Sequence, residues 1–175
     1  MFNRRYALMV PFALAMAPAR AAAPGFSFAN IDGGQIDLQA YRGKPILVVN
    51  TASHCVFTKQ YDALQQLHDD YGDRLLVLAV PSDDFGGQEY GTEAEVKRFC
   101  EVNFNLTLPL TEITRVKGPE AHPFYVWAAK NGVRPAWNFH KVLLDGEGRI
   151  VRDFPSTIGP QSARLRRAID ALLDT

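Results

Sequence analysis

The fold is decided by one stretch of the chain, Pro45-Ile-Leu-Val-Val-Asn50-Thr-Ala-Ser-His-Cys55-Val-Phe-Thr-Lys-Gln-Tyr61. Its first six residues are a short apolar run rich in β-branched side chains, which is typical of a buried strand. Apolar residues then recur at helical spacing from Thr58 to Tyr71, and Gly72 follows as a helix stop. The stretch therefore predicts a buried strand and a helix, with Cys55 in the loop that joins them.

The patterns on either side of this stretch extend the alternation of strands and helices. They predict, in chain order, an N-terminal β-hairpin over residues 26–38, a second buried strand over 75–80, a helix over 92–104 that starts at a capping box, a short helix from Pro123 to Trp127, a β-hairpin over 142–151, and a final helix that Gly159 and Pro160 open. This order indicates an α/β fold with a central mixed sheet flanked by helices. It is the order of a thioredoxin-like fold, although other small α/β folds share it in part.

The composition limits both the number of domains and the classes of function. A chain of 175 residues with 47% hydrophobic residues suits one globular domain. Nineteen basic residues balance nineteen acidic ones, so nothing indicates a nucleic-acid partner. Two cysteines are too few for a disulfide-rich scaffold or a four-cysteine metal site, and the four histidines lack metal-binding spacing. We therefore expect no metal and no bound cofactor.

Residues 1–23 have the features of a secretory signal peptide. Arg4 and Arg5 precede a short apolar run, and small residues follow, with cleavage expected after Ala21 or Ala23. The run is short for a membrane span, and a retained N-terminal anchor is the alternative. We therefore expect a single domain over residues 24–175, exported to the periplasm and without stable membrane association after processing. Disulfides persist in that compartment.

Cys55 is the first candidate for chemistry. In an open α/β sheet, ligands bind in the crevice beyond the carboxyl ends of the strands, which is where Cys55 is predicted to lie. A helix N-terminus nearby stabilises a thiolate, the form that attacks peroxides and disulfides. An inert buried cysteine is the alternative. The chain contains no Cys-x-x-Cys motif, so a dithiol of the thioredoxin type is excluded.

Four motifs that occur in order along the chain point to a family. They are Asn50-Thr-Ala-Ser-His-Cys55-Val-Phe-Thr-Lys-Gln-Tyr61, Phe85-Gly-Gly-Gln88-Glu89, Gly118-Pro-Glu-Ala-His-Pro123 and Trp137-Asn138-Phe139. In residue types and in separation they resemble the motifs of the glutathione peroxidase family. The resemblance extends over the whole of the predicted mature chain, and several ordered motifs are far more specific than one short pattern.

The resemblance implies a thioredoxin-like fold and the reduction of hydrogen peroxide or organic hydroperoxides, in response to oxidative stress. It makes Cys55 the peroxidatic residue and Gln88, Trp137 and Asn138 the other members of a catalytic tetrad. These residue types suit the chemistry, because amide and indole N–H donors can stabilise a thiolate and the departing oxygen. Attack on the peroxide would convert Cys55 to a sulfenic acid.

Cys100 is the second cysteine, and the sequence leaves its role open between two alternatives. It lies on the apolar face of the helix predicted over residues 92–104, which is the position of a packed core cysteine. The resemblance instead implies a resolving cysteine, which would condense with the Cys55 sulfenic acid to an internal disulfide. The predicted helix would then have to unwind in part, because a disulfide requires close Cα atoms. The implied reductant is a thioredoxin-like dithiol protein or glutathione.

The sequence departs from the family pattern at several positions. His54 replaces a usual lysine, Val56 replaces a glycine, and Asp83 and Asp84 bring negative charge that could raise the pKa of the Cys55 thiol if they lie close. A segment that some family members use for tetramer contacts is shortened before Trp137, which implies a monomer. Two other functions remain open: a redox-sensing or partner-binding domain without efficient turnover, and an exported domain in which the two cysteines form a permanent disulfide.

Overall fold

The computed structural model describes residues 24–174, and the predicted signal peptide lies outside them. The elements are β1 (Ser27–Ala29), β2 (Gln35–Asp37), β3 (Ile46–Thr51), α1 (Gln60–Tyr71), β4 (Leu76–Pro81), α2 (Glu93–Phe104), α3 (Pro123–Lys130), β5 (Lys141–Leu144), β6 (Ile150–Phe154) and α4 (Ala163–Leu173). Strands β1 and β2 form the predicted N-terminal hairpin, and the other four strands form one sheet in the order β4-β3-β5-β6.

The predicted strand after Pro45 is β3, which lies inside the sheet. It pairs parallel with β4 and antiparallel with β5, and β5 pairs antiparallel with β6. All six residues of β3 are buried. A strand buried on both faces has a continuous run of apolar residues, and this is why β3 can be predicted from the sequence alone.

The side chains of β3 alternate between two apolar cores. Leu47 and Val49 belong to the core formed with α1, α2 and α4, while Ile46 and Val48 belong to the core formed with α3 and the N-terminal hairpin. Burying one such side chain stabilises the fold by about 1.5–3 kcal/mol. The sheet is therefore covered by helices on both faces, and the expected mixed sheet and thioredoxin-like arrangement are confirmed.

Two predicted helix starts were wrong by a few residues. The first helix begins at Gln60 rather than Thr58, because the Thr58 side chain bonds inside the preceding turn. The final helix begins at Ala163, so Gly159 and Pro160 do not open it. Residues 159–162 form a turn, and the Ser162 hydroxyl caps the helix by accepting the Leu165 N–H at 3.3 Å.

The turn between β5 and β6 lies against the chain that enters β3. The Gly43 N–H donates to the Gly146 carbonyl oxygen at 2.8 Å. A Cβ on Gly146 would lie 2.9 Å from the Gly43 carbonyl carbon, which is backbone and has little freedom to move. The close approach of these two glycines joins the last hairpin to the start of the central strand.

We predict that Gly146→Ala lowers the free energy of unfolding by about 1–3 kcal/mol, because the new methyl group forces the two backbones apart. Urea denaturation followed by circular dichroism measures the change. Gly91→Ala is the matched control, since a Cβ there meets no atom within 4 Å. Equal midpoints for the two variants would show that the contact contributes nothing to stability.

Candidate active site

The loop that follows β3 is held in shape by one threonine. The Cys55 N–H donates to Thr58 Oγ1 at 3.0 Å, and the Thr58 N–H donates to the Cys55 carbonyl oxygen at 3.0 Å. The Thr58 hydroxyl in turn donates to the Ala52 carbonyl oxygen at 2.9 Å. These three hydrogen bonds fix Cys55 between the end of β3 and the start of α1, where the sequence predicted it.

The Cys55 side chain is largely shielded, with 8% of its surface exposed. The Phe57 N–H donates to its Sγ at 3.5 Å. Val56, the next residue and one of those that depart from the family pattern, is 85% exposed. The other departure, His54, is exposed and packs edge-on against the Tyr90 ring at 4.4 Å. The loop thus presents an apolar side chain to solvent directly beside the cysteine.

The structure brings Gln88 and Asn138 together, although 50 residues separate them. Asn138 Nδ2 donates to Gln88 Oε1 at 3.1 Å, and Asn138 is fully buried. The Gln88 carbonyl oxygen accepts the N–H of His54, the neighbour of Cys55, at 2.9 Å. Two of the residues expected beside the cysteine are therefore bonded to each other, and one is bonded to the cysteine loop.

Trp137 completes the group at the surface. The residue is 39% exposed, and its ring packs on Phe85 with a centroid separation of 5.9 Å. Gly86 explains part of the motif before Gln88, because its φ of +77° suits glycine. A Cβ there would also lie 3.5 Å from the Trp137 ring and 3.7 Å from Gln88 Cγ. The indole of Trp137 and the side chain of Gln88 therefore both lie close to Gly86.

The Trp-Asn-Phe motif is anchored to the end of β3. Asn50 Nδ2 donates to the Trp137 carbonyl oxygen at 3.0 Å, and the Phe139 N–H donates to the Asn50 carbonyl oxygen at 2.5 Å. Phe139 has a φ of +61°, an uncommon conformation for a bulky residue that surrounding contacts must hold. Ser156 Oγ donates to the Asn138 carbonyl oxygen at 2.6 Å. The backbone on both sides of the Asn138 side chain is thus fixed.

The two aspartates that precede the second motif, Asp83 and Asp84, bind groups of the surrounding loops. Asp84 pairs with Arg115 at 2.8 Å and accepts the N–H groups of Val116 and Lys117. Burial acts to raise the pKa of Asp84, but these hydrogen bonds and the Arg115 charge outweigh it, and the pKa is lowered. Asp83 accepts the Glu89 N–H at 3.1 Å. Both carboxylates therefore hold the loop that carries Gln88.

Glu89 is a buried carboxyl group whose role the sequence analysis did not identify. Its Oε1 accepts the Ser53 N–H at 3.2 Å and the Tyr90 N–H at 2.9 Å, which ties the Cys55 loop to the Gln88 loop. Burial raises its pKa. The only sequence signal was its place directly after Gln88 in the second motif.

Cys100 lies inside α2 and points into the core, with 1% of its surface exposed. Burial raises the pKa of its thiol to about 12, and the charge of Glu89 adds to the effect while the Tyr61 hydroxyl opposes it. The helix continues to Phe104, and Asn105 caps it in a left-handed conformation. Both cysteines are free thiols, so the two residues are not joined in this state.

Among residues 24–174, no group of three or more histidine, cysteine, aspartate or glutamate side chains could hold a metal ion. Within the same range, no helix is long and apolar enough to cross a membrane.

Comparisons with known proteins identify the family to which the chain belongs. The sequence profile of the family described as Glutathione peroxidase matches residues 25–129. The hydroperoxy fatty acid reductase gpx1 of Synechocystis is 41% identical over 148 residues, which cover 78% of this chain and 88% of that protein. The glutathione peroxidase homolog BsaA of Staphylococcus epidermidis is 38% identical, and the match covers 81% of this chain and 92% of that protein.

Solved structures give the same result. The crystal structure of Trgpx in its apo form superposes with a TM-score of 0.68 and 30% sequence identity, and the match covers 87% of this chain and 98% of that one. The profile covers more than half of the chain, the relatives are matched over most of their length, and the fold agrees. The chain therefore belongs to the glutathione peroxidase family and is an oxidoreductase of the peroxidase type.

Proposed function

We propose that the protein is a two-cysteine thiol peroxidase in which Cys55 attacks the peroxide and Cys100 resolves the product. One observation carries the proposal: the buried Asn138 amide is bonded to Gln88, and the Gln88 backbone is bonded to the cysteine loop. Amide donors held in place beside the loop that carries a thiol are suited to stabilising charge that develops during the reaction. The proposal includes protection against oxidative stress as the cellular role.

In the first step, the Cys55 thiolate attacks the terminal oxygen of the hydroperoxide. An S–O bond forms, the O–O bond breaks, and the proton that the thiol gave up ends on the departing oxygen, which leaves as water or an alcohol. Because Asn138 occupies Gln88 Oε1, the Gln88 NH₂ group is the part of that side chain left to donate. The Trp137 indole N–H supplies a further donor.

In the second step, the Cys100 thiol attacks the sulfenic sulfur of Cys55. An S–S bond forms, the S–O bond breaks, and the oxygen leaves as water with the thiol proton. A thiol with a pKa of about 12 inside a packed helix is a poor nucleophile, so α2 must open locally around Cys100. Opening the helix would expose the thiol to water and remove the burial that holds its pKa high.

The proposed reductant is a thioredoxin-like dithiol protein, because an internal disulfide is a suitable substrate for dithiol exchange. Glutathione is the alternative thiol. The proposed substrates are hydrogen peroxide and organic hydroperoxides. The name of the Synechocystis relative, a hydroperoxy fatty acid reductase, supports the organic class, as do the exposed apolar surfaces of Val56 and Trp137.

We further propose that the protein is exported as a monomer to the periplasm. The support is the signal-like sequence of residues 1–23 and the shortened segment before Trp137. Export would keep the protein away from cytosolic thioredoxin, so its dithiol partner would have to work in the same compartment.

Mass spectrometry of the intact, reduced protein tests the reaction. After one equivalent of hydrogen peroxide, we expect the wild type to lose two hydrogens as a Cys55–Cys100 disulfide. Cys100→Ser should stop at a Cys55 sulfenic acid, which dimedone traps, and Cys55→Ser should stay unmodified. A Cys55 thiol that survives equimolar peroxide in the wild type would contradict the proposal and favour a structural or partner-binding role. Oxidation without turnover by any dithiol reductant would favour a sensor.

Alkylation of the reduced protein tests the packed state of Cys100. At pH 8 iodoacetamide should label Cys55 and spare Cys100, because a raised pKa keeps the Cys100 thiol protonated until the pH approaches about 12. The protein unfolded in urea is the control, and there both cysteines should react. Equal labelling rates in the folded protein would show that α2 is already open around Cys100.

Fractionation of a Gram-negative host that expresses the full chain tests the location. We expect the protein in the periplasmic fraction, with a mass that corresponds to cleavage after Ala21 or Ala23. The variant Leu8→Arg/Leu14→Arg interrupts the apolar run and should leave uncleaved protein in the cytoplasm. Uncleaved wild-type protein in the membrane fraction would instead identify a retained anchor.

A further inference from the structure

Lys141, the first residue of β5, is a fully buried amine. Its Nζ donates to Gln60 Oε1 at 2.6 Å and to the Ile158 carbonyl oxygen at 2.7 Å. Both partners are uncharged oxygens. Burying a charged amine without a carboxylate partner is costly, so this position would be expected to hold an apolar side chain.

The bonding pattern at Lys141 fits an amine with two donors. A neutral amine has two N–H groups, which match the two oxygens, whereas an ammonium group has a third for which residues 24–174 provide no partner. Burial lowers the pKa of Lys141 to about 7. The titratable groups beside it are His140, whose pKa is lowered by burial although Asp153 opposes the effect, and Asp153 itself, which pairs with His140 at 3.0 Å.

A chain of hydrogen bonds leads from Lys141 to the candidate active site. Gln60, which accepts from Lys141, donates through Nε2 to the Ser156 carbonyl oxygen at 2.7 Å. Ser156 Oγ donates to the Asn138 carbonyl oxygen at 2.6 Å, and the Asn138 side chain donates to Gln88 at 3.1 Å. Four links, each of ordinary length, thus connect the buried amine with the amide pair.

We propose that Lys141 is a positioning residue of the peroxidase site, which orients the Gln60 side chain so that Ser156 holds Asn138 against Gln88. Lys141 and Gln60 together bind the segment after β6 at two carbonyl oxygens, those of Ser156 and Ile158. The inference rests on the proposed function, because it assigns the amine a part in the reaction of Cys55.

The alternative is that Lys141 only stabilises the fold. The two roles predict different results for Lys141→Met, which keeps an unbranched side chain and removes the amine. A positioning role predicts a loss of rate. The change in stability is then the balance between a buried amine that is removed and two oxygens that are left without its donor. A structural role predicts a loss of stability with the rate of Cys55 oxidation unchanged.

The test measures the rate constant for oxidation of Cys55 by hydrogen peroxide in stopped flow, and the thermal midpoint of each variant. We expect Lys141→Met to lower the rate constant about tenfold, since small displacements of catalytic groups have effects of this size or larger. Gln60→Leu should lower it by a similar factor. The double variant should show no further loss, because both substitutions break the same route. Lys44→Met, at an exposed lysine, is the control and should match the wild type.

The pH dependence of Cys55 alkylation provides a readout that a structural role would not move. If the amide pair stabilises the thiolate, the midpoint of this profile should shift upward in Lys141→Met and also in Gln60→Leu. Gln60→Leu keeps the amine, so a shift there separates loss of positioning from loss of a nearby charge. Ser156→Ala removes the last link and should behave like Gln60→Leu, which keeps the test valid if Lys141→Met does not fold.

A normal rate constant in Lys141→Met, or a loss that Gln60→Leu and Ser156→Ala do not share, would overturn the proposal. Failure of the wild-type Cys55 to react with peroxide would instead overturn the proposed function, so the two failures can be told apart.

Discussion

Asn50, at the carboxyl end of β3, is the residue on which the geometry of the site depends. Its N–H donates to the His140 carbonyl oxygen, its carbonyl oxygen accepts the Phe139 N–H, and its side chain donates to the Trp137 carbonyl oxygen. One residue of the central strand therefore fixes the segment that carries Trp137 and Asn138. Cys55, five positions further along the chain, lies in the loop that starts at the same strand end. Ligand sites in open α/β sheets form at such strand ends, where side chains from distant parts of the chain can meet.

The sequence allowed the scaffold to be predicted because its signals are local. The β3 run, the helical spacing of α1 and the Thr92 cap each depend on neighbouring residues, and all three are present in the structure. The grouping of Gln88, Trp137 and Asn138 was predicted only through the family resemblance, since no local pattern joins residues 50 positions apart. The structure adds the hydrogen bond between the two amides.

Other features could not be predicted because they depend on partners far away in the chain. Lys141 lies on the same face of β5 as Leu143 and is buried, yet a lysine at the start of a strand is ordinarily expected at the surface. Its partner Gln60 is 81 residues distant. In the sequence Glu89 looks like an ordinary acidic residue of a polar loop. Only the structure shows that the Ser53 N–H donates to its carboxylate. The start of α1 was placed too early because the Thr58 side chain turns back to the Cys55 loop. In each case a buried polar group, rather than an apolar pattern, determines the local structure.

The position of Cys100 inside α2 links the packing of this helix to the redox chemistry of the protein. In the proposed cycle α2 is intact in the dithiol state and open in the disulfide state, so every interaction that stabilises the packed helix also favours the reduced form. The reduction potential of the cysteine pair therefore rises with the stability of α2, by about 30 mV for about 1.4 kcal/mol in a two-electron couple. Apolar residues such as Val96, which take no part in sulfur chemistry, would then help to determine which donor proteins can reduce the enzyme to its active state.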